Sequence, residues 1–560
     1  MRRKSFIILI ILLTIIIAAG YFIFQPSDEK IKYSTEDEYL TYNNKSHPAA
    51  EIIRKGNIPY LRLTDATEIL ELNGTYDSES DSVIFTTPKS VYQLKVGQDS
   101  AFKNGDPLDT DVLPSVKEND RIFIAIDWIV SHFPYEKLEG DTARTTFLYA
   151  DGYTIQQATF KEGLSVDERR LRSEATLTAP FYETMEESES FYILNDEGRY
   201  VKVTTKDGIS GYVKASVIEL NESTVISTKV KKEKGDFPLP FDKRFIVAWE
   251  GIYSREANQN GAQDLTGVDV YAPTWFELTD DAGTVSSLAT RDYVKAVKES
   301  NAQVWALFSN VFDPERTNKV IGSYEKRAFM IEQLMEYAES FKLDGINIDF
   351  ENVLPEDGPS FTQFIRELVP YAHEQGLVIS VDITFLSSSG EWSGFYERAK
   401  LSELADYIMV MAYDEHWANS PVAGSVASLP WVERNLERLL EVIPNDNLIL
   451  GIPLYARLWT EEKIESGGVS LTSKALTMNE VETFIDTYGL QPVLDEDTGQ
   501  YYVEYAEEDT SYQLWIENEH SLNQRLNLAK KEDLAGIAVW SSHFAEDEVW
   551  PFLDSELQKE

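Results

Sequence analysis

The pattern of apolar and polar positions changes near residue 241. Beyond it, apolar runs of strand length alternate with stretches in which apolar residues recur as on one face of a helix, for example Ile331 and Leu334. The eight strand-like runs span residues 244–249, 268–276, 302–310, 343–351, 377–385, 406–414, 448–459 and 534–542. Eight strand–helix units in one segment predict an α/β fold, a (β/α)8 TIM barrel over residues 241–560 with an insertion at about 460–533.

The N-terminal part of the chain alternates in shorter runs separated by turn signals. Two pieces, beginning near Ile58 and Arg121, each lead from a strand into a helix start. They predict a small, internally duplicated α+β domain over residues 49–140. Residues 165–220 consist of short strands, and a "KDG" turn predicts a hairpin within a small all-β barrel. Residues 221–240 are charged, end in "DFPLP", and are typical of a linker.

Residues 6–24 form an apolar run without a charged side chain. At the helical rise this run spans about 28 Å, enough to cross the apolar core of a bilayer. The cationic residues at positions 2–4 favour an N-terminus inside the cell. We expect a cytoplasmic tail (1–5), a single-pass transmembrane anchor, a tether (25–48) and a body outside the cell membrane. A signal peptide cleaved after Gly20 is the alternative, and it would release the protein.

Composition narrows the possible partners. The chain carries 51 Lys+Arg against 95 Asp+Glu, a formal net charge of −44, which disfavours nucleic acid and anionic lipid surfaces as partners. It has no cysteine, which excludes disulfides and thiolate metal sites. Its six histidines show no close metal-ligand pairing, so we expect neither a metal nor another cofactor. The oligomeric state stays open.

The run at 343–351 has one polar face. Asn347, Asp349 and Glu351 alternate with apolar positions, as side chains on the two faces of a strand do. A surface strand would explain this pattern in isolation. In a barrel the outer face is covered by helices, so these three side chains point inward, where unpaired carboxylates are costly. Glu351 also lies at the strand end where barrel active sites are built. Asp344 has the opposite parity and is expected to organise the start of the strand.

These residues resemble a known family. "DGINIDFE" resembles the D-G-x-D-x-D-x-E signature of glycoside hydrolase family 18, the chitinases and endo-N-acetylglucosaminidases. "MAYD" at 411–414, "GIPLYAR" and "GIAVW" are similar to the family's sixth, seventh and eighth strand motifs. The resemblance covers residues 241–552 and is strongest to the spore-wall and germination branch. The 49–140 domain resembles the N-terminal domain of copper amine oxidases, without copper ligands, and the 165–220 domain resembles bacterial SH3-like domains.

The resemblance implies a retaining, substrate-assisted mechanism. Glu351 is implied as the general acid, Asp349 as the group that holds the 2-acetamido N–H of the substrate, and Tyr413 as a hydrogen-bond donor to the acetamido oxygen. The acetamido oxygen itself then attacks the anomeric carbon, an exception to the two-carboxylate scheme. Asn347 stands where the family has its middle Asp. With one negative charge fewer beside it, Asp349 is expected to ionise more easily.

Further residues are candidates for substrate binding. The resemblance implies that Met411 packs beneath the reacting sugar, that Trp540 forms its floor, and that Asp414 positions either Asp349 or the sugar. Tyr455 and Arg457 are candidates because a polar pair at the end of a barrel strand seldom serves packing alone. Four further tryptophans could either line the substrate-binding groove or pack in the core of the barrel. They are Trp275, Trp417, Trp459 and Trp515.

The sequence therefore favours an outward-facing enzyme that hydrolyses β-linked N-acetylglucosamine glycans. Its motifs do not separate peptidoglycan from chitin, nor endo from exo cleavage. The alternative is a catalytically silent, lectin-like glycan-binding protein on the same fold. Glu351 is intact, which speaks against that alternative because lectin-like relatives usually lose the acid.

Overall fold

The computed structural model describes residues 25–33, 39–139, 145–196, 198–206, 208–235, 237–256, 265–463 and 468–559. Contacts within the chain define two compact units. The first extends to residue 234 apart from 87–90, and the second comprises those four residues and the chain from 235 onward. The predicted cytoplasmic tail (1–5) and transmembrane anchor (6–24) lie outside the described residues. Among the residues that are described, no helix is long and apolar enough to span a bilayer.

The first unit begins with a β-rich domain that contains the predicted duplication. Strand Ile58–Arg62 leads into helix Leu63–Ile69, and strand Arg121–Ala125 leads into helix Ile126–His132. The two strands pair antiparallel, so the repeated pieces share one sheet. The other strands of this domain are Tyr39–Tyr42, Lys45–His47, Ile52–Lys55, Asn73–Asp77, Ser82–Thr87, Ser90–Lys95, Ala101–Lys103, Asp106–Leu108, Ser115–Glu118, Tyr135–Glu139 and Thr145–Ala150.

The domain begins earlier than predicted. Strand Tyr39–Tyr42 pairs parallel with Thr145–Ala150, and Leu40 is fully buried. The tether predicted over residues 25–48 was therefore wrong in its second half, and in its first half Glu29 and Ile31 form backbone hydrogen bonds with Phe181 of the following all-β domain. The short strands 39–42 and 45–47 carry too few apolar positions to be distinguished from a polar linker, and only pairing with a strand far along the chain reveals them.

The second domain of this unit is all-β. Its seven-stranded antiparallel sheet is built from Gln157–Phe160, Arg170–Arg172, Phe181–Thr184, Phe191–Asp196, Tyr200–Thr204, Ser210–Lys214 and Ile218–Leu220. Tyr200–Thr204 and Ser210–Lys214 form the predicted hairpin. Asp207, which lies between these two strands in the sequence, is outside the described residues. The relation of this domain to bacterial SH3-like domains stays a prediction.

The second unit is a closed barrel, as predicted. All eight strands are parallel, and β1 pairs with both β8 and β2, which closes the sheet. The strands are β1 (Phe245–Glu250), β2 (Val270–Leu278), β3 (Gln303–Ser309), β4 (Gly345–Asp349), β5 (Val378–Thr384), β6 (Tyr407–Met411), β7 (Leu448–Pro453) and β8 (Gly536–Trp540). The helices of the barrel are Arg291–Glu299, Pro314–Ile321, Tyr324–Phe341, Gly358–Glu374, Arg398–Leu404, Leu429–Leu439, Glu519–Lys531 and Val549–Leu557.

An insertion separates β7 from β8. It holds a five-stranded antiparallel sheet made of Ala456–Lys463, Val469–Leu476, Val493–Asp495, Gln500–Glu507 and Thr510–Ile516, together with helix Met478–Tyr488. The sheet begins directly after β7 and ends at Ile516. The helix at Glu519–Lys531, which the predicted insertion (460–533) included, packs instead against β7 and β8 of the barrel.

The two faces of β4 differ as the sequence predicts. Ile346 and Ile348 are fully buried in the layer between the strands and the helices, and Asn347 points into the barrel. Asp344 accepts a hydrogen bond from the Val304 backbone N–H (3.0 Å) and thereby ties the start of β4 to β3. At Gly345 a Cβ atom would lie 2.7 Å from the Trp305 ring, so only glycine lets the interior side chains fill this level of the barrel.

Candidate active site

Asn347 anchors a polar network inside the barrel. Its side chain is fully buried, and its Oδ1 accepts a hydrogen bond from Trp249 Nε1 (2.9 Å) on β1. Its Nδ2 donates to Ser380 Oγ (3.1 Å) and to Asp382 Oδ1 (2.7 Å) on β5. The amide thus uses its acceptor toward one strand and its donor toward another, which fixes its orientation.

Asp382 is a buried carboxyl group that the sequence analysis did not single out. It is 1% exposed and lies in the middle of β5. Burial is the main cause that raises its pKa well above the ordinary value, and the charge of Asp349 adds to the effect. The signal in the sequence was an Asp within the otherwise apolar run "LVISVDITF". The role of Asp382 becomes visible only when β5 is known to lie beside β4. That pairing joins residues far apart in the sequence, so the local pattern does not predict it.

Asp349 occupies the last position of β4, and burial raises its pKa to about 7. Its Oδ1 is buried and accepts no hydrogen bond from another described residue. Desolvation dominates at this depth although the neighbouring side chain, Asn347, is uncharged. The expectation that Asp349 ionises more easily beside Asn347 than beside an aspartate stays a prediction.

Glu351 lies two residues beyond Asp349, where the chain leaves the barrel. Its backbone N–H donates to Asn310 Oδ1 (3.1 Å), and its carbonyl oxygen accepts from Asn310 Nδ2 (2.8 Å). Asn310 also donates to Thr317 Oγ1 (2.9 Å), so the amide that holds the Glu351 peptide is itself held. Burial raises the pKa of Glu351 well above its ordinary value, and the charges of Asp349 and Asp414 raise it further. The carboxyl group therefore keeps its proton, as a general acid requires.

Tyr413 and Asp414 follow β6 and face the same opening. Burial raises the pKa of Tyr413 well above 10, so its hydroxyl keeps its proton and can donate a hydrogen bond. Asp414 Oδ1 accepts from Tyr455 Oη (2.6 Å) and from Arg457 Nη2 (3.2 Å). Of the two roles expected for Asp414, these contacts connect it to the groups after β7 rather than to Asp349. Its side chain is 44% exposed and open to a ligand.

The floor of the opening is aromatic. Trp540, at the end of β8, is half-buried and meets Trp249 edge to face, with ring centroids 6.3 Å apart. Met411 is partly exposed and packs against the same inner cluster. Both residues therefore lie where the sequence predicted them, at the C-terminal ends of their strands and facing the interior.

Two of the tryptophans considered for the groove are core residues. Trp275 is fully buried against Tyr293 in the layer between strands and helices. Trp459 is 1% exposed and donates from Nε1 to the carbonyl oxygen of Gly424 (2.8 Å). Core packing, the alternative considered for both, is therefore their role, because neither side chain is exposed to a ligand. Trp417 is 51% exposed, and Trp515 is partly buried with Nε1 bonded to Asp495 (3.0 Å).

Two exposed aromatic residues stand near Glu351 and were missed. Phe312 follows β3 and is 49% exposed, and Trp392 follows β5 and is 43% exposed, with ring centroids 6.1 Å apart. Asn352, the residue after the acid, donates to the Phe312 carbonyl oxygen (2.9 Å). Phe312 lies in a turn and Trp392 in a five-residue π-helical segment, Gly390–Gly394. Both segments are too short for a period to predict the direction of a side chain.

Glu250, at the end of β1, is another buried carboxyl group missed from the sequence. It accepts hydrogen bonds from the Tyr293 hydroxyl and from Ser542 Oγ (3.3 Å), and burial raises its pKa to about 7. Ser542 lies two residues after Trp540, so Glu250 braces the segment that leaves β8. Within the described ranges, no three His, Asp or Glu side chains are grouped as a metal site requires.

Comparisons with known proteins agree with this geometry. The model of Glycosyl hydrolases family 18 matches residues 253–545, and that of the copper amine oxidase N-terminal domain matches residues 39–147. Over 297 residues the chain is 27% identical to the uncharacterized glycosylase YvbX of Bacillus subtilis (strain 168), which covers 51% of this chain and 83% of the relative. It is 22% identical to the cortical fragment-lytic enzyme of the same organism over 273 residues, 47% of this chain and 62% of that enzyme.

Solved structures share the fold. The C-terminal domain of a presumed chitinase from Desulfitobacterium hafniense DCB-2 superimposes with a TM-score of 0.52 at 21% identity, over 57% of this chain and 100% of that domain. The family 18 match extends over more than half of the chain, and the barrel and its motifs agree with it. The protein therefore belongs to glycosyl hydrolase family 18, a family of glycoside hydrolases, and also contains a domain like the N-terminal domain of copper amine oxidases.

Proposed function

We propose that this protein is a membrane-anchored extracellular glycosidase that hydrolyses β-linked N-acetylglucosamine glycans of the peptidoglycan or chitin type. The observation that carries the proposal is the Glu351 carboxyl group just beyond the C-terminal end of β4, whose pKa is raised by burial and by neighbouring carboxylates, with Asp349 and Tyr413 facing the same opening. An acid is needed because the glycosidic oxygen is a poor leaving group near neutral pH.

In the first step Glu351 gives its proton to the glycosidic oxygen as the bond from that oxygen to the anomeric carbon breaks. The acetamido oxygen of the same sugar forms the new bond to that carbon. In the second step water attacks the anomeric carbon, Glu351 takes a proton from it, and the acetamido group is restored. Two inversions leave the product in the β configuration.

The arrangement of carboxyl groups supports a nucleophile supplied by the substrate. Asp349 is two residues from Glu351, so both point toward one region of the sugar rather than to its opposite faces. Two further carboxyl groups, Asp382 and Asp414, are near the acid. Asp382 is 1% exposed and out of reach of a sugar, and Asp414 is held by Tyr455 and Arg457.

The remaining residues bind and orient the sugar. Asp349 accepts the acetamido N–H, and Tyr413 donates to the acetamido oxygen, which places that oxygen for attack. Trp540 and Met411 provide the apolar floor on which the sugar ring stacks. Asp414, presented by Tyr455 and Arg457, accepts a hydrogen bond from a sugar hydroxyl.

The relative named as a cortical fragment-lytic enzyme favours a cell-wall polymer as the substrate. The all-β domain, which resembles bacterial SH3-like domains over residues 165–220, would then bind the same cell-wall polymer. The apolar run at 6–24, preceded by three cationic residues, supports an anchor in the cell membrane with the barrel outside.

We expect Glu351→Gln to lower turnover of an N-acetylated glycan by at least about a hundredfold, because the amide has no proton to give. Binding of the oligosaccharide, measured by calorimetry, should change by less than about threefold, since the amide keeps the shape of the acid. Glu356→Gln, at an exposed position nearby, is the matched control and should keep full activity. Retained turnover in the Glu351 variant would exclude it as the acid. A wild-type protein that binds but never hydrolyses would support the lectin-like alternative.

We expect hydrolysis to require the N-acetyl group at the reacting subsite. A fully deacetylated oligomer of equal length should react at least about a thousandfold more slowly, because it lacks the intramolecular nucleophile. Proton NMR on the acetylated oligomer should show a β product first. Comparable rates on both oligomers would point instead to a protein nucleophile such as Asp414, and an initial α product would contradict retention.

We expect Asn310→Ala to lower kcat by roughly ten- to a hundredfold with little change in KM, because the peptide of Glu351 loses both hydrogen bonds that fix the acid. Asn318→Ala is the matched control, since its amide bonds to Asp357 and not to Glu351. Both variants should be compared at a temperature at which both are fully folded. An equal loss of kcat in the two variants would argue against a positioning role for Asn310.

We expect the protein in the membrane fraction, with the barrel removed when protease is added to intact cells. A variant lacking residues 6–24 should stay inside the cell and resist the protease. A mature N-terminus near Tyr21 in the medium would show a cleaved signal peptide instead of an anchor.

A further inference from the structure

The interior of the barrel contains one carboxyl group more than the mechanism uses. Asp349 and Glu351 contact the substrate in the proposed reaction, whereas Asp382 lies below them and cannot reach it. Within the described part of the chain, no Lys or Arg forms an ion pair with any of the three. A buried carboxyl group without a cation calls for an explanation, because its charged form is costly there.

Asp382 lies directly beside Asp349. In the register of β4 and β5, Asn347 is opposite Ser380 and Ile348 is opposite Val381. Continuing this register by one residue brings Asp349 beside Asp382, and the charge of Asp349 acts on Asp382. Neighbouring strands are about 4.8 Å apart, and both side chains point into the barrel. The two carboxyl groups are therefore side by side on adjacent strands.

Two buried carboxylates at this separation cannot both be ionised near neutral pH. Burial alone raises the pKa of Asp349, whereas the charge of Asp349 is the second cause, after burial, that raises the pKa of Asp382. The pair therefore holds one proton near neutral pH, and because Asp349 is the carboxylate that accepts the acetamido N–H in the proposed reaction, that proton is assigned to Asp382. The other titratable groups that face the pair are Glu351, Tyr396 and Tyr413, and none of them is a cation.

The hydrogen bonds leave one place for the proton of Asp382. Its Oδ1 accepts from Asn347 Nδ2 (2.7 Å), so the proton belongs on Oδ2. The Oδ1 atom of Asp349 is buried and receives no hydrogen bond from any other described residue. A protonated Asp382 supplies the donor that this atom lacks.

We propose that Asp382 is a positioning residue, which stays protonated and donates a hydrogen bond to Asp349, and so holds Asp349 as the carboxylate that receives the acetamido N–H. The inference rests on the proposed function for the role of Asp349, but the protonation of Asp382 can be measured without any substrate. The hydrogen bonds then all point the same way across the barrel: Trp249 donates to Asn347, Asn347 donates to Asp382, and Asp382 donates to Asp349. Asp349 in turn faces the substrate.

The test compares Asp382→Asn with Asp382→Ala in the full chain. An asparagine presents the same acceptor to Asn347 and the same donor to Asp349 as a protonated aspartate. We expect Asp382→Asn to keep kcat within about fivefold of the wild type, whereas Asp382→Ala should lose roughly a hundredfold in kcat with a smaller change in KM. In the alanine variant the acid limb of the kcat profile should move to higher pH, because the ionised Asp349 has lost its donor.

Carboxyl 13C NMR titration of the substrate-free protein gives a second readout. In Asp382→Asn we expect the titration of Asp349 near pH 7 to remain and one ionisation at higher pH to disappear.

Loss of activity in Asp382→Asn comparable to that of Glu351→Gln would overturn the proposal, since it would mean that a charged Asp382 is needed. Asp382→Ala that only unfolds at lower temperature, with kcat and pH profile unchanged, would also overturn it. If the wild type is inactive on N-acetylated glycans, the proposed function is wrong. The NMR titration then decides by itself whether Asp382 is protonated.

Discussion

The structure depends on burying carboxyl groups at the mouth of the barrel without giving them cations. Two other buried carboxylates of the same unit, Glu367 and Glu517, are paired with arginines. Glu367 receives two hydrogen bonds from Arg327, and Glu517 receives two from Arg525. Each of these two carboxylates has a guanidinium at hydrogen-bond distance. Among the described residues the cluster around Glu351 has no such partner, and burial raises the pKa values of its carboxyl groups, as a group that must donate a proton requires.

That cluster is useful only if its members are held in place, and the support comes from neighbouring strands rather than from the loop that carries Glu351. Asn310, just after β3, bonds to both sides of the Glu351 peptide. The Tyr396 hydroxyl, beyond β5, donates to the Phe350 carbonyl oxygen (2.9 Å). The acid is therefore fixed by backbone contacts on two sides, while its side chain stays free to approach a glycosidic oxygen. Rigid positioning of this kind lowers the entropy that must be lost on reaching the transition state.

The sequence predicts what depends on local periodicity and fails where long-range register decides. The eight strands, and the inward direction of Asn347 and Asp349, follow from alternation and strand count. Asp382 also alternates inward on β5, but its importance appears only when β5 lies beside β4 in a known register. Trp275 illustrates the same limit, because an aromatic residue in a barrel strand suits the core and the groove equally well until its direction is known. Residues in loops, such as Asn310, carry no period at all.

The amide at position 347 and the carboxyl at position 382 are best understood together. An aspartate at 347 would place two acceptors against each other, and the Trp249 N–H could satisfy only one of them. The asparagine accepts from Trp249 (2.9 Å) and donates to Asp382 (2.7 Å), so both neighbours are satisfied without a charge. Asp382 can then keep its proton for Asp349, and the pair still carries one ionisable charge below the acid. With an amide at position 347 and a carboxyl group at position 382, the barrel therefore holds one ionisable pair, Asp349 and Asp382, beside Glu351.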